Sequence, residues 1–264
     1  ATSVLVLVLG LGVAGAALGT VIAEAVGLVA GLCIAAYLAR GAAWPAWPTV
    51  LDRAKLLRMV VINRDIMIRT AALIAGFAFF TAQSARAGDT VLAANAVLHN
   101  LVMVAAYFLD GFATAAEQLC GRSVGARDRF AFRSAVRLAI GWGFLLAVIV
   151  AAVFALAGDG LIALMTVSPE VRAVAHQFLI FAALAPIAGV FAYAYDGIFI
   201  GATWTRDMRN LMLASLGLYL AAWWALQPLG NTGLWIALLI FLGARGSLQA
   251  LRYPALLRRT FAVA

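Results

Sequence analysis

Long apolar runs dominate this chain and constrain its fold more than any other feature. Hydrophobic residues make up 66% of its 264 positions and charged residues only 11%, a balance that soluble globular domains do not have. A helical membrane crossing needs about 20 mostly apolar residues, so about seven or eight crossings are the most that this length allows. The composition therefore predicts an all-α integral membrane protein whose principal partner is the lipid bilayer.

Full membrane spans are predicted from the apolar runs and from the charged, proline and glycine breaks between them. The predicted spans, about seven, are residues 12–38, 66–85, 90–117, 135–157, 172–200, 210–226 and 232–252. Residues 2–9 are also apolar, and we interpret them as the end of another helix. We therefore expect further helices upstream of Ala1.

Successive loops between the predicted spans alternate between many basic residues and few, so that one side of the membrane is strongly basic. All but three of the 19 Lys and Arg residues fall on one side, the exceptions being Arg86, Arg172 and Arg245. Short basic loops remain in the cytoplasm, so the pattern predicts a multi-pass protein of the inner (plasma) membrane with a cytoplasmic C-terminus. This bias also explains the net charge of +8. Because no basic face of a soluble fold is present, we expect no nucleic-acid partner.

The sequence lacks the motifs of the common enzyme classes. Gly-x-Ser-x-Gly, His-Glu-x-x-His and Walker patterns are missing, which excludes the hydrolase, zincin and ATP-driven chemistry that they support. The single lysine, Lys55, lies in a predicted loop, so the last helix offers no Schiff base for retinal. We expect no catalytic residue, no enzyme activity, no metal site and no cofactor apart from a coupling ion.

Ionisable residues inside the spans are the functional candidates, because a charge at bilayer depth is costly unless it faces a cavity or a partner. Asp110 and Asp196 share the pattern Tyr-x-x-Asp-Gly. We interpret both as carboxylates that bind a cation or proton, with Glu117 as a further candidate. The alternative is structural, with Asp110 paired to Arg122 and Asp196 to Arg206.

A series of segments in the same order resembles the DinF-like branch of the multidrug and toxic compound extrusion (MATE) family. The segments are residues 12–24 (GVAGAALGTVIAE), 63–70 (NRDIMIRT), 79–83 (FFTAQ), 92–98 (LAANAVL), 110–117 (DGFATAAE), 196–203 (DGIFIGAT) and 208–210 (MRN), with Gly121 and Gly125-Ala-Arg127 between them. A set of matches that follows the family order over nearly the whole chain is more specific than any one of them.

The resemblance implies a MATE-type fold of twelve helices, in which two six-helix lobes enclose a central cavity. On this plan residues 1–39 are the end of the N-terminal lobe, comprising the end of helix 5 and helix 6. Residues 40–58 are the cytoplasmic linker between the lobes. Residues 59–264 are the C-terminal lobe, helices 7 to 12. The chain is then expected to lack most of the N-terminal lobe, which would be its partner within the same protein.

The resemblance also implies a function, namely alternating-access antiport that couples Na⁺ or H⁺ to the export of amphiphilic or cationic drugs and toxic compounds. Asp196 lies where another branch of the family carries a functional aspartate on helix 10, and Thr20 matches a threonine of a polar cluster on helix 6. Polar groups expected in the substrate cavity are Gln83, Asn95, Tyr193 and Tyr195. The alternative is a non-transporting scaffold or flippase-like relative whose buried carboxylates are structural.

Overall fold

The computed structural model describes residues 12–40 and 51–262. The predicted end of helix 5 (residues 2–9) and the middle of the predicted linker (residues 41–50) lie outside these ranges. The chain forms two compact units, Ala1–Leu56 and Leu57–Ala264. The finer assignment of these units to two lobes of a transporter stays a prediction.

The described residues are almost entirely helical and include no strand. The helices are α1 (Gly12–Leu38), α2 (Arg53–Arg86), α3 (Asp89–Gly125), α4 (Arg129–Met165), α5 (Pro169–Gly201), α6 (Thr205–Leu226) and α7 (Gly230–Phe261). Helix α1 belongs to the first unit, and α3 to α7 belong to the second.

Six segments in the described ranges are long and apolar enough to cross a membrane, and the last of these covers Thr205–Phe261. A 3₁₀ turn at Gln227–Leu229 and a positive φ of 56° at Gly230 divide that segment into α6 and α7. The two helices pack against each other as a hairpin. The six apolar segments therefore contain the helices that correspond to all seven predicted spans, which confirms the predicted fold class.

Helix α1 coincides with the predicted span 12–38, and the other six helices are longer than their predicted spans. Helix α3 has 37 residues, which at 1.5 Å per residue is about 55 Å, whereas the hydrocarbon core is about 30 Å thick. Hydropathy detects the membrane-embedded part alone, while capping residues mark the true helix starts. Asp52 accepts the backbone N–H of Ala54 at 2.9 Å, and Asp128 accepts that of Ala131 at 2.8 Å. Residues 53–58 of the predicted linker consequently belong to α2.

Helix α5 is the central helix of the second unit. It packs against α3, α4 and α7, and 56% of the residues in its most apolar 18-residue stretch are buried inside the protein. Residues 194–199 are buried on every side of the helix, whereas the exposed residues nearer its start include the apolar Ile180, Leu184 and Phe191. A helix that is apolar all round is typical of the centre of a bundle, and this position explains the weak amphipathicity of the α5 sequence.

Glycines allow α3 and α7 to approach the backbone of α5 closely. A Cβ atom added at Gly197 would lie 2.0 Å from the carbonyl oxygen of Ala113, and one at Gly201 would lie 2.3 Å from that of Glu117. On α7, a Cβ at Gly246 would lie 2.7 Å from a backbone nitrogen of α5. Small residues four positions apart permit such contact between membrane helices. These contacts hold α5 between α3 and α7.

Several basic segments of the second unit meet at one end of the bundle. The Arg209 guanidinium donates to Asp65 at 2.6 Å, which joins the starts of α2 and α6. The indole of Trp204 donates to Thr260 at 3.0 Å, and its ring lies 5.7 Å from that of Phe132. We call this the basic end. Its location in the cytoplasm stays a prediction.

Gly197→Ala is expected to lower the thermal stability of the detergent-solubilised protein, because the added methyl group has no room beside α3. Overpacking of this kind costs roughly 1–3 kcal/mol. Gly217→Ala in α6 is the matched control, since a Cβ there meets nothing within 4 Å and alanine favours the helix. Equal unfolding temperatures for the two variants would contradict the close packing of α3 and α5.

Candidate functional site

The carboxylate of Asp196 lies at the centre of a buried polar cluster. On α7, Nη2 of Arg245 donates to Oδ2 of Asp196 at 2.8 Å, and Nε2 of Gln249 donates to Oδ1 at 2.8 Å. Arg69 of α2 donates to the same Oδ2. Asp196, Arg245 and Gln249 are each at most 5% exposed. We call these four residues the Asp196 cluster.

Local helix geometry explains why these side chains converge. Arg245 and Gln249 are four residues apart, so they lie on the same face of α7. Gly246 follows Arg245 and brings the α7 backbone against α5. Gly197 follows Asp196 and brings α5 against α3. The glycine contacts that fix α5 thus also place its carboxylate within reach of two other helices.

A second carboxylate, that of Asp110 on α3, lies near the same arginines. Its charge interacts with those of Arg69 and Arg245, and the Arg245 guanidinium carbon also lies 5.7 Å from the ring centroid of Tyr193. In contrast to Asp196, Asp110 is exposed. Within the described ranges its carboxylate has no hydrogen bond and no ion pair. Two arginines and two aspartates therefore balance in charge, with one aspartate bonded and the other accessible.

Some polar atoms of the cluster have no hydrogen-bond partner among the described residues. They are Nε of Arg69, Nε and Nη1 of Arg245, and Oε1 of Gln249. A buried donor without a partner is costly. The cluster therefore contains donors in excess of those that bind Asp196, and it can accommodate an additional acceptor.

Helix α3 presents a polar stripe beside the cluster. The exposed residues at helical spacing are Tyr107, Asp110, Thr114 and Gln118. The main-chain approach of α5 buries the opposite side of α3, where Leu109 and Ala116 lie. A stripe that contains a carboxylate and an amide is unfavourable against hydrocarbon, so this face of α3 requires water or another polar surface.

Two predicted site residues have mainly packing contacts. Tyr195 is 8% exposed, and its ring lies 6.3 Å from that of Phe199 and 5.8 Å from that of Tyr253 at the basic end. Glu117 is half-buried where its main chain contacts Gly201. Their predicted roles in cavity and cation binding stay predictions.

Asn95 and Gln83 lie at the end of the bundle away from the basic end. The Asn95 amide donates to Ser84 and Asn231 at 2.7 Å each, and its oxygen accepts the indole N–H of Trp235 at 2.9 Å. Gln83 lines a pocket together with Asn231. These two predicted residues thus share a neighbour in Asn231, separately from the Asp196 cluster. Thr20 lies in α1, in the first unit, and its role stays a prediction.

Three partners of Asp196 were not predicted from the sequence, namely Arg69, Arg245 and Gln249. The structural alternative paired Asp196 with Arg206 and Asp110 with Arg122. Neither pair occurs in the described residues, where Asp196 bonds Arg69 and Arg245 and Asp110 forms no ion pair. Arg69 lies inside the predicted span 66–85, after apolar residues, but it was not considered as a partner of either aspartate. Gln249 stands one helical turn after Arg245. This four-residue spacing of polar groups in an apolar helix was the available signal.

These features define a polytopic helical membrane protein with charged groups held between apolar helices. The family model MatE matches residues 66–223 of the chain, and the chain belongs to this family. Membership confirms the resemblance found in the sequence. Two MATE proteins with solved structures of similar fold are transporters.

Two curated relatives are similar in sequence. The chain is 39% identical to DNA damage-inducible protein F of Escherichia coli over 244 residues, which is 92% of this chain and 53% of that protein. It is 23% identical to the chloroplastic Protein DETOXIFICATION 45 of Arabidopsis thaliana over 181 residues, 68% of this chain and 32% of that protein. The chain thus spans about half, or less, of the length of these relatives.

Solved structures show the same fold. The Vibrio cholerae MATE transporter VcmN in its bent form is similar with a TM-score of 0.79 and 22% identity, over 98% of this chain and 59% of that one. An outward-facing multidrug resistance MATE family transporter is similar with a TM-score of 0.74 and 20% identity, over 96% of this chain and 59% of that one. The chain therefore has a partial MATE fold.

Asp196→Asn is expected to destabilise the protein, because it leaves Arg69 and Arg245 buried without a bonded carboxylate. Loss of one partner from a buried ion pair costs roughly 3–5 kcal/mol. The measurement is thermal unfolding of the purified protein in detergent, and the variant should unfold at a clearly lower temperature than the wild type.

Asp207→Asn is the matched control for this change. Asp207 pairs with Arg252 at 2.7 Å, where the two side chains are 30% and 38% exposed, and such pairs contribute about 0.2–1 kcal/mol. The double variant Asp196→Asn/Arg245→Gln should regain part of the lost stability. A double variant less stable than Asp196→Asn would show that charge pairing is not the reason for the loss.

Proposed function

We propose that the complete protein containing this chain is a secondary active antiporter that exports amphiphilic or cationic compounds in exchange for Na⁺ or H⁺. Membership of the MatE family supports a role in multidrug efflux. The observation that carries the proposal is the exposed polar stripe of α3, next to the Asp196 cluster. We place the protein in the plasma (inner) membrane with the basic end in the cytoplasm, where its Arg residues satisfy the charge bias.

The polar stripe supports a transport cavity because of its composition. Tyr107 offers an aromatic ring and Asp110 a carboxylate on the same helix face, one turn apart. A carboxylate beside an aromatic ring is suited to a cationic, amphiphilic compound. Since the stripe is unfavourable in hydrocarbon, the cavity is proposed to lie between this face and the rest of the transporter.

Asp110 is proposed as the carboxylate that exchanges a coupling cation or proton for substrate. Asp110 is exposed, and its carboxylate is free of ion pairs in the part of the chain that the structure describes, whereas both oxygens of Asp196 accept hydrogen bonds. A cation at Asp196 would have to displace an arginine. A cation at Asp110 needs no such displacement, and it would alter the charge balance around Arg69 and Arg245.

For Asp196 we propose a structural role. Its contacts to α2 and α7 support its assignment as the counter-ion that holds two arginines inside the bundle. This assignment fits the alternative that buried carboxylates brace helices. It is compatible with transport, provided that the exchanging group is another carboxylate.

Asp110→Asn is expected to abolish export with the fold retained. The complete gene product is expressed in cells that lack their main efflux pumps, and ethidium accumulation is followed at several pH values and Na⁺ concentrations. Wild-type protein should lower accumulation. With the variant, ethidium accumulation should rise to the level of cells that do not express the protein. The export rate should fall about tenfold or more below that of the wild type, since the ion-binding group is lost.

Asp89→Asn is the control for this experiment, because Asp89 is an exposed aspartate in the first turn of the same helix. It should leave export unchanged. If Asp110→Asn exports ethidium with the wild-type dependence on pH and Na⁺, Asp110 is not the exchanging group. If the wild-type protein does not lower accumulation of any cationic dye, the scaffold alternative is favoured.

A further inference from the structure

A pocket at the basic end has no part in the transport proposal. It lies between the first turns of α2 and the turn that connects α5 with α6. Its charged lining residues are Arg58, Arg64, Asp65, Arg206, Asp207 and Arg209. Four arginines face two aspartates, so the pocket has an excess of positive charge.

Both carboxylates in the pocket already form ion pairs with arginines. Asp65 is 1% exposed, and it accepts from Arg209 at 2.6 Å and from Arg64 at 3.1 Å. Asp207 accepts from Arg252, which lies outside the pocket lining, at 2.7 Å. The carboxylates therefore do not compensate the remaining arginines.

Arg58 and Arg206 are the uncommitted cations. Both are exposed, and neither forms an ion pair within 4.0 Å in the described residues. They reach the pocket from different helices, Arg58 from α2 and Arg206 from α6. Two guanidinium groups that converge from separate helices favour a ligand with several acceptor oxygens, and phosphate matches the fork geometry of arginine.

The remaining lining of the pocket is partly apolar. Val61 and Ile62 lie one turn after Arg58, and Val61 is 41% exposed. Trp204 lines the opposite wall. Trp beside Arg and aliphatic residues is typical of the membrane–water interface. A ligand with an anionic head and an apolar body would contact both parts of this lining.

We propose that this pocket binds the phosphate of an anionic phospholipid headgroup, with Arg58 and Arg206 as the phosphate ligands. Arg209 of α6 joins the two walls through its bond to Asp65 of α2. The acyl chains leave the pocket past Val61 and Ile62. The bound lipid would lie in the leaflet at the basic end and would stabilise the contact between α2 and the α5–α6 turn.

The test compares lipid binding by native mass spectrometry of the complete purified protein. Dioleoylphosphatidylglycerol is the probe, and dioleoylphosphatidylcholine is the neutral reference. We expect Arg58→Gln/Arg206→Gln to reduce phosphatidylglycerol affinity at least about tenfold, since hydrogen bonds to charged groups are lost. Arg58→Lys/Arg206→Lys should retain a larger part of the affinity, and elution on size exclusion verifies that each variant is folded.

Arg258→Gln/Arg259→Gln is the matched control. These exposed arginines lie at the last turn of α7, outside the pocket, and their loss changes the net charge by the same amount. Equal losses of affinity in the two Gln variants would overturn the proposal, because they would indicate general charge attraction. Competition by glycerol 3-phosphate at the affinity of the lipid would overturn the lipid source and assign the pocket to soluble phosphate esters.

Discussion

The interior of the second unit depends on one carboxylate that is shared by two arginines. Arg69 and Arg245 enter the bundle from α2 and α7, and both bond the same Oδ2 atom of Asp196 on α5. Neither guanidinium can lose its proton under ordinary conditions, so the bundle must supply a fixed negative charge. Asp196 supplies it on the helix that contacts most of the others.

Close helix packing makes this charge arrangement geometrically possible. The carboxylate of Asp196 is short, and it reaches α7 because Gly246 allows the helix backbones to meet. Gly197 and Gly201 allow the same on the side of α3. In a bilayer, where apolar contact between helices gives little advantage over lipid, such backbone proximity and interhelical hydrogen bonds are the main stabilising terms. The Asp196 cluster therefore depends on these glycines, because it forms only where the helix backbones are this close.

The fold was predictable from the sequence to the extent that it follows from hydropathy. Every predicted span lies within a helix, because the apolar length of a crossing is set by the bilayer. Helix ends at Asp52 and Asp128 were not predicted, since they depend on capping by single residues. The charge pairs of the structural alternative were wrong for a related reason. Sequence proximity suggested Arg206 for Asp196, but the actual partner Arg245 is 49 residues away, and helix packing alone brings it close.

The site contains one bonded carboxylate, Asp196, and one accessible carboxylate, Asp110. This difference determines which of the two could bind a coupling cation. Both oxygens of Asp196 already accept hydrogen bonds, so this carboxylate offers no free oxygen to Na⁺. Asp110 lies near the same arginines in an exposed position, so a cation bound there, as proposed, would change the field at Arg69 without breaking a bond. Arg69 is the more exposed of the two arginines, at 15% against 2% for Arg245. Arg245 and Asp196 are therefore the more deeply buried members of the cluster, whereas Arg69 on α2 lies nearer its surface.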